Sequence, residues 1–307
     1  MAERRVDEVT GTSTVGHEWD GIEELDTPMP RWWLYTLYAS IIFSIGYCIA
    51  YPAWPLIDRA TAGVLGWTST GQLERELDAE GARKAPMRLA LSRIPIERLP
   101  QDSRLMQAAV EGGRAAFKVH CVQCHGSGAA GSKGYANLND DDWLWGGDIK
   151  AIHQTVVTGI REPGNDAARM SQMPAFGRSG ILNADQIGDV VSHVRVLARS
   201  ERPSRSSQRG AALYVDNCAA CHGADGKGMR LLGAPDLTDA IWLYGGDRDT
   251  LTETVANSRY GVMPSWGQRL DPVTTKMLAA YVHSLGGGED YVAEAPPAAA
   301  VKADGQP

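Results

Sequence analysis

The sequence predicts a mainly α-helical protein in which one apolar N-terminal helix precedes two tandem copies of a small helical domain. Three observations predict it. The stretch from Trp32 to Ala53, WWLYTLYASIIFSIGYCIAYPA, carries no charged residue. The pentad CVQCH at 121–125 returns as CAACH at 218–222. Downstream of each pentad, WLWGGD (143–148) and SQMPAFG (171–177) recur in the same order as WLYGGD (242–247) and GVMPSWG (261–267), so the second half of the chain is an internal repeat.

The apolar stretch comes first. At about 1.5 Å per residue it reaches roughly 33 Å as a helix, enough to cross a bilayer core. Trp32, Trp33 and Tyr35 at one end and Tyr47, Tyr51 and Trp54 at the other match the aromatic belts of a span. It starts late and follows the acidic run EWDGIEELD, which disfavours a cleaved signal peptide, so a retained single span over 32–54 is expected after an N-terminal segment, 1–31. Residues 55–104 mix apolar and charged side chains around TSTGQLERELDAEGARK and read as a partly helical linker.

Each repeat then has its own helices. Gly113 and Phe117 precede the first pentad as Gly210 and Tyr214 precede the second, and a Gly four residues from an aromatic lets a crossing helix come close. Ile187, Val190, Val191, Val194 and Leu197 follow helical spacing, as do Leu278, Tyr281, Val282 and Leu285, and these supply the crossing helices. The repeats are assigned to 105–200 and 207–287. The remainder, 288–307, is rich in Ala and Pro and is expected to be disordered.

Two thiols two residues apart with a histidine directly after the second are the attachment signature of a c-type haem. One helical turn carries Cys121 and Cys124 past a porphyrin edge and leaves His125 over its face; Cys218, Cys221 and His222 repeat this. A thioredoxin-like dithiol or a zinc site of two CxxC knuckles leaves the histidine after both pairs unexplained. Two covalent haems c are therefore expected. Such attachment takes place outside the bacterial cytoplasmic membrane, which puts residues 55 onward in the periplasm and 1–31 in the cytoplasm. Arg31 and Arg59 alone are too few to set the orientation.

Net charge is −7 and no basic stripe exists, which argues against nucleic acid. Apart from Cys48, every cysteine sits in a pentad, so no disulfide framework is left over. Cys48 in the span reads as a small apolar packing residue. His17, His120, His153, His193 and His283 have no second ligand at metal spacing and read as structural or solvated. Asp140 to Asp142 read as a solvated face or a helix start, with a docking patch for a basic donor as the sharper idea.

The order of helix, pentad, loop, methionine loop and terminal helix resembles the class I cytochrome c fold over residues 105–287. That family's sixth iron ligand is a loop methionine, commonly followed by proline. The resemblance implies Met173 for the iron of His125 and Met263 for the iron of His222, with Met170 a rival for the first; Met229 and Met277 read as packing residues. Two methionine-ligated irons would be closed to substrates. The first repeat has Ala136 where the second has Pro235, whose counterpart in the family orients the proximal histidine through its carbonyl. It also has the extra residues REPGNDAARM, expected to face solvent or a partner.

Taken together, EWDGIEELDTPMPRWW before one span, YPAWP after it, a linker and two such modules closely resemble the dihaem subunit (the FixP or CcoP family) of cbb(3)-type cytochrome c oxidases. The resemblance implies electron transfer from a donor cytochrome through both haems to a monohaem subunit and a haem-copper catalytic subunit that reduces oxygen and pumps protons. No catalytic site is expected in this chain. A dihaem peroxidase would need an iron that loses its sixth ligand, which two MPxxG loops oppose. A free-standing membrane dihaem carrier, or the cytochrome subunit of a periplasmic dehydrogenase, would share the haem chemistry. Since only the first repeat is joined to the anchor, electrons are expected to enter at the second haem.

Overall fold

The computed structural model describes residues 4–292. The chain divides into two units, Met1–Arg83 and Lys84–Pro307.

The first unit opens with an antiparallel hairpin, β1 (Thr14–Trp19) and β2 (Ile22–Leu25), with Thr14 opposite Leu25 and Trp19 opposite Ile22. Asp20 and Gly21 both take positive φ, 50° and 84°. That is the two-residue turn whose twist matches a hairpin, and Asp-Gly is its usual sequence. Charge dominated the sequence reading of EWDGIEELD and hid this signal.

Helix α1 (Arg31–Ala50) is the expected span, but it stops short of residue 54. Tyr51 precedes Pro52, whose ring excludes the helical conformation from its neighbour, and Tyr51 is extended at φ −119°, ψ 160°. None of its side chains is buried within the described residues, and by length and composition it can cross a membrane. Beyond it, Val64 N–H donates to the Ile49 carbonyl at 2.9 Å, and Trp67 meets Tyr51 edge-on at 5.7 Å.

Helix α2 (Ser69–Arg93) begins in the first unit and ends in the second. Its last turns are no loose linker. Leu91, Ile96 and Leu99 are buried in one apolar cluster with Ala109, Ile149, Val273, Met277 and Ala280. Lys276 donates its ammonium to the Leu91 and Ile94 carbonyls, at 2.7 and 2.6 Å, satisfying groups that a helix end leaves orphaned. Burial holds the Lys276 pKa below the usual lysine range, and the Glu97 charge opposes that shift. Lys276→Met keeps the stem and strands both carbonyls. It is expected to destabilise the second unit by about 2 kcal/mol in urea denaturation followed by circular dichroism.

The second unit contains α3 (Ser103–His120), α4 (Val122–His125), α5 (Ile149–Thr158), α6 (Ala184–Leu197), α7 (Arg205–Asn217), α8 (Ala219–His222), α9 (Arg248–Asn257) and α10 (Pro272–His283). Asp148 and Asp247 cap α5 and α9: Asp148 accepts from the Lys150 and Ala151 N–H at 3.0 and 3.1 Å, and Asp247 accepts from Thr250 N–H at 2.9 Å. The repeated GGD thus ends on a helix start. Its second glycine lets the tryptophan lie on the backbone, since a Cβ at Gly147 would sit 2.2 Å from the Trp143 ring and one at Gly246 2.7 Å from Trp242.

The repeats do not pack as separate halves. A Cβ on Gly113 in α3 would lie 2.0 Å from the Met277 carbonyl oxygen of α10, and one on Gly210 in α7 would lie 1.9 Å from that of Asp189 in α6. So α3 and α5 of the first repeat pair with α10 of the second, while α7 and α9 of the second pair with α6 of the first. The chain crosses between modules twice. Ile160 and Met263 exchange both backbone hydrogen bonds, at 2.9 and 3.0 Å, and Arg161 clamps the crossing by donating Nε to Gly261 O and Nη1 to Ser171 O, at 2.6 and 3.0 Å.

The extra residues of the first repeat make a closed excursion. Arg169 N–H returns to the Gly159 carbonyl at 3.1 Å, and Arg161 N–H donates to Arg169 O at 2.9 Å. The beginning of the expected disordered tail is pinned: Glu289 N–H donates to Gly147 O at 2.9 Å, Glu289 pairs with Arg230, and Trp143 Nε1 donates to Gly287 O at 2.6 Å. The rest of that tail, 293–307, lies outside the described residues.

Candidate haem sites

Each pentad begins where a long helix ends. Cys121 N–H closes on the Phe117 carbonyl at 2.9 Å and His125 N–H on the Cys121 carbonyl at 2.9 Å; Cys218 on Tyr214 and His222 on Cys218 repeat this at 2.8 and 2.9 Å. The single turns α4 and α8 therefore hold two thiols and a histidine in one geometry twice over.

The histidines are oriented from behind. His125 Nδ1 lies 2.9 Å from the Ala136 carbonyl and His222 Nδ1 lies 3.1 Å from the Pro235 carbonyl. A carbonyl can only accept, so Nδ1 carries the proton and Nε2 keeps a lone pair for a metal. Alanine in place of proline costs nothing here, because the acceptor is backbone. Burial lowers both imidazole pKa values against the opposing carbonyl bond, which keeps both rings neutral at pH 7, the form that ligates.

Burial, with the neighbouring thiol adding to it, pushes Cys121 and Cys218 up to about 11. A redox dithiol of the thioredoxin kind needs a low thiol pKa, so these pairs are poorly built for exchange chemistry. Among the described residues no group of three His, Cys, Asp or Glu is placed to hold a metal ion.

The methionines are distributed differently from the order in the sequence. Met263 packs against the buried cluster of Phe117, Ile152 and Val156, against which Cys121 and Val122 of the first pentad also pack. Met173 packs against the buried cluster of Tyr214 and Leu251, against which Cys218 and Ala219 of the second pentad also pack. Ser258, at the end of α9, donates its hydroxyl to the Met173 carbonyl. Met263 and Cys121 thus pack against one apolar cluster, and Met173 and Cys218 against the other. Met170 is 67% exposed, and Met277 is buried in the core. A neutral histidine at the end of each pentad, and a half-buried thioether packed against the same apolar cluster as that pentad's first cysteine, fit haem c in both modules.

The five other histidines have partners of their own. His17, His120 and His193 lie against Trp19, Trp266 and Tyr214; Nε2 of His153 is 3.4 Å from Thr275 Oγ1, and that of His283 is 2.9 Å from Glu289 O. Cys48 lines a shallow groove on α1 with Ser44, Ile45 and Ile49.

The acidic run is neither a helix start nor fully solvated. Asp142 is half-buried, and burial first, then the charges of Asp239, Asp140, Asp236 and Asp141, raise its carboxyl to about 6. A folded pKa above the unfolded one, near 3.9, means the fold favours the protonated form. Its contribution to stability is full below about pH 4 and is lost as pH rises through 6. Asp142→Asn is expected to flatten stability between pH 4 and 6 and to raise it by about 1–2 kcal/mol at pH 7, after discounting for solvent screening. Chemical denaturation at pH 4.5 and 7 would show this.

A family model described as the N-terminal domain of cytochrome oxidase-cbb3, FixP, matches residues 11–58. A second, described as cytochrome c oxidase, cbb3-type, subunit III, matches twice, at 108–194 and 205–282. Among similar proteins, the cbb3-type cytochrome c oxidase subunit CcoP of Cereibacter sphaeroides is 53% identical over 276 residues, covering 90% of this chain and 95% of its own. FixP subunits of Azorhizobium caulinodans and Rhizobium meliloti are each 47% identical, covering 92% and 93% of this chain and 96% and 98% of theirs.

Proposed function

The chain belongs to the FixP and CcoP family of cbb3-type cytochrome c oxidase subunits, and we propose that it serves its complex as a membrane-anchored dihaem electron carrier. The observation that carries this reading is made twice: a pentad whose histidine is oriented by a backbone carbonyl has its first cysteine packed against the same apolar cluster as a methionine. A free-standing carrier is not favoured, because relatives matching over nine-tenths of the chain are named as oxidase subunits.

Haem c bound at each pentad supplies a one-electron couple. Cys121 and Cys124 would hold the first through thioethers, and Cys218 and Cys221 the second. His125 and Met263 would ligate the first iron, and His222 and Met173 the second. The backbone carbonyls of Ala136 and Pro235 fix ring orientation and raise the donor strength of Nε2. The thioether, a soft and weak donor, favours ferrous iron and so a high potential. With a histidine and a methionine of this chain committed to each haem, oxygen reduction and proton pumping would fall to the catalytic subunit, and this chain would relay electrons to it from a donor cytochrome, by way of a monohaem subunit.

Helix α1 anchors the chain in the inner membrane with residues 1–30 cytoplasmic and the helical unit periplasmic. The tether to the anchor does not set the order of the haems, because residues 198–204 join α6 to α7 within one module and the modules are joined by the crossings at 160–172 and 259–263.

The test is purification of the detergent-solubilised complex. The chain should co-purify with a haem-copper subunit and carry two haems c by pyridine haemochrome. Replacing residues 1–54 by a cleavable secretion signal should keep both haems and abolish co-purification. One haem, or a full-length chain that purifies alone, would overturn the reading.

A further inference from the structure

Among the described residues only three buried side-chain atoms lack a hydrogen-bond partner in the protein, and two of them are neighbours: Trp145 Nε1 and Arg169 Nε. The Arg169 guanidinium lies over the Trp145 ring at 5.2 Å. Both orphans are donors, and one belongs to a cation that forms no ion pair among the described residues. Arg169 has only weak neutral acceptors, Ala151 O at 3.3 Å and Gln154 Oε1 at 3.4 Å. Asp148 acts on it from a distance and is engaged in capping α5. Two converging donors with a half-buried positive charge call for an anionic acceptor.

The pairing of arginine over ring is repeated, although Arg259 Nε, unlike Arg169 Nε, has an acceptor, Thr254 Oγ1 at 3.0 Å. Arg259 lies over Tyr244, the repeat counterpart of Trp145, at 4.6 Å and donates to the Thr250 carbonyl of α9 at 2.6 Å, as Arg169 does to Ala151 of α5. It too forms no ion pair among the described residues. Arg259 reaches this place directly from α9, whereas the first repeat needs its 161–169 excursion to bring Arg169 back. That gives the extra residues a purpose.

We infer that Arg169 with Trp145 clamps a propionate of the haem attached at Cys121 and Cys124, and that Arg259 beside Tyr244 clamps one of the haem attached at Cys218 and Cys221. The inference rests on the two-haem reading above. Each clamp lies at the junction of the modules: a Cβ on Gly233, in the turn before Pro235, would meet the Trp145 ring at 2.2 Å, and one on Gly134, before Ala136, would meet Tyr244 at 3.2 Å. The clamps would therefore turn the carboxylate edges of both haems toward the junction, each beside the turn that orients the other module's histidine. A guanidinium held there opposes the extra positive charge of ferric iron, and so raises the potential of its own haem.

The experiment is redox titration of the full-length chain carrying both haems, comparing wild type with Arg169→Gln, Arg259→Gln, Arg169→Lys and Trp145→Phe. Each glutamine variant should lower one of the two midpoint potentials, the two variants lowering different ones, by roughly tenfold in the reduction equilibrium, about 59 mV for one electron. Arg169→Lys should restore most of the shift, and Trp145→Phe, which keeps the ring, should lower the same potential as Arg169→Gln by less. Unchanged potentials in both glutamine variants, or both potentials falling together in either one, would overturn the clamps. A wild-type chain with fewer than two haems would instead overturn the reading beneath them.

Discussion

Replacing Met263 by alanine is expected to convert the haem attached at Cys121 and Cys124 from low-spin to high-spin, although Met263 lies beyond the second pentad in the sequence. The residue belongs to the second repeat and packs against the same buried cluster, that of Phe117, as Cys121 does. The backbone bonds between Ile160 and Met263 fix its loop there. Losing a thioether lowers the potential on the order of 0.1–0.3 V, part of the roughly 0.8 V that axial ligands span. The clean measurement uses a background with Cys218 and Cys221 both replaced by alanine, so that only the first haem is attached. There, Met263→Ala should give a high-spin electron paramagnetic resonance signal and a lowered potential, and Met173→Ala should leave both as they were. The reverse outcome would restore the ligand assignment implied by order along the chain.

Much of the site chemistry was legible because it is local. The CxxCH spacing, the Asp that ends WLWGGD and WLYGGD, and the Gly113 and Gly210 positions all act within a few turns of helix, and each does what its residue type demands. The pairing of modules was not legible. Both methionine loops read M-P-x-x-G, both crossing helices carry the same apolar spacing, and either copy would fit either partner. What distinguishes the two arrangements is the path of 160–172 and 259–263, short segments whose side chains carry no periodic signal. The docked end of α2 was missed for a related reason: Leu91, Ile96 and Leu99 look like a mixed linker until Val273 and Met277, far away in sequence, cover them. Trp145 and Arg169 escaped notice because neither residue is unusual alone, and only their meeting as unpaired donors marks them.

Cutting the chain between Arg202 and Pro203, through an inserted protease site in the exposed segment joining α6 to α7, is expected to leave two fragments that do not separate. Tandem domains would come apart, each with its own pentad, methionine and terminal helix. Here the N-terminal fragment carries Phe117, Ile152 and Val156 of one core but needs Leu278, Ala279 and Val282 from the other fragment to complete it. It also carries Ile187, Val190, Val191 and Val194, which are covered by Tyr214 and Leu251 of the C-terminal fragment. Separation would expose both cores at once. At about 25 cal/mol per Å² of apolar surface, a handful of buried aliphatic and aromatic side chains on each side holds the halves together by well over 10 kcal/mol before ordering costs are subtracted. The nicked protein should therefore run as one species in size exclusion under native conditions, with both haem spectra unchanged, and should split only in denaturant. Either fragment expressed alone should fail to give a folded, low-spin haem domain, since each would hold one pentad and the wrong module's methionine. Two stable monohaem fragments that part on the column would show that the modules are tandem in space as well as in sequence, and would remove the ground for pairing His125 with Met263.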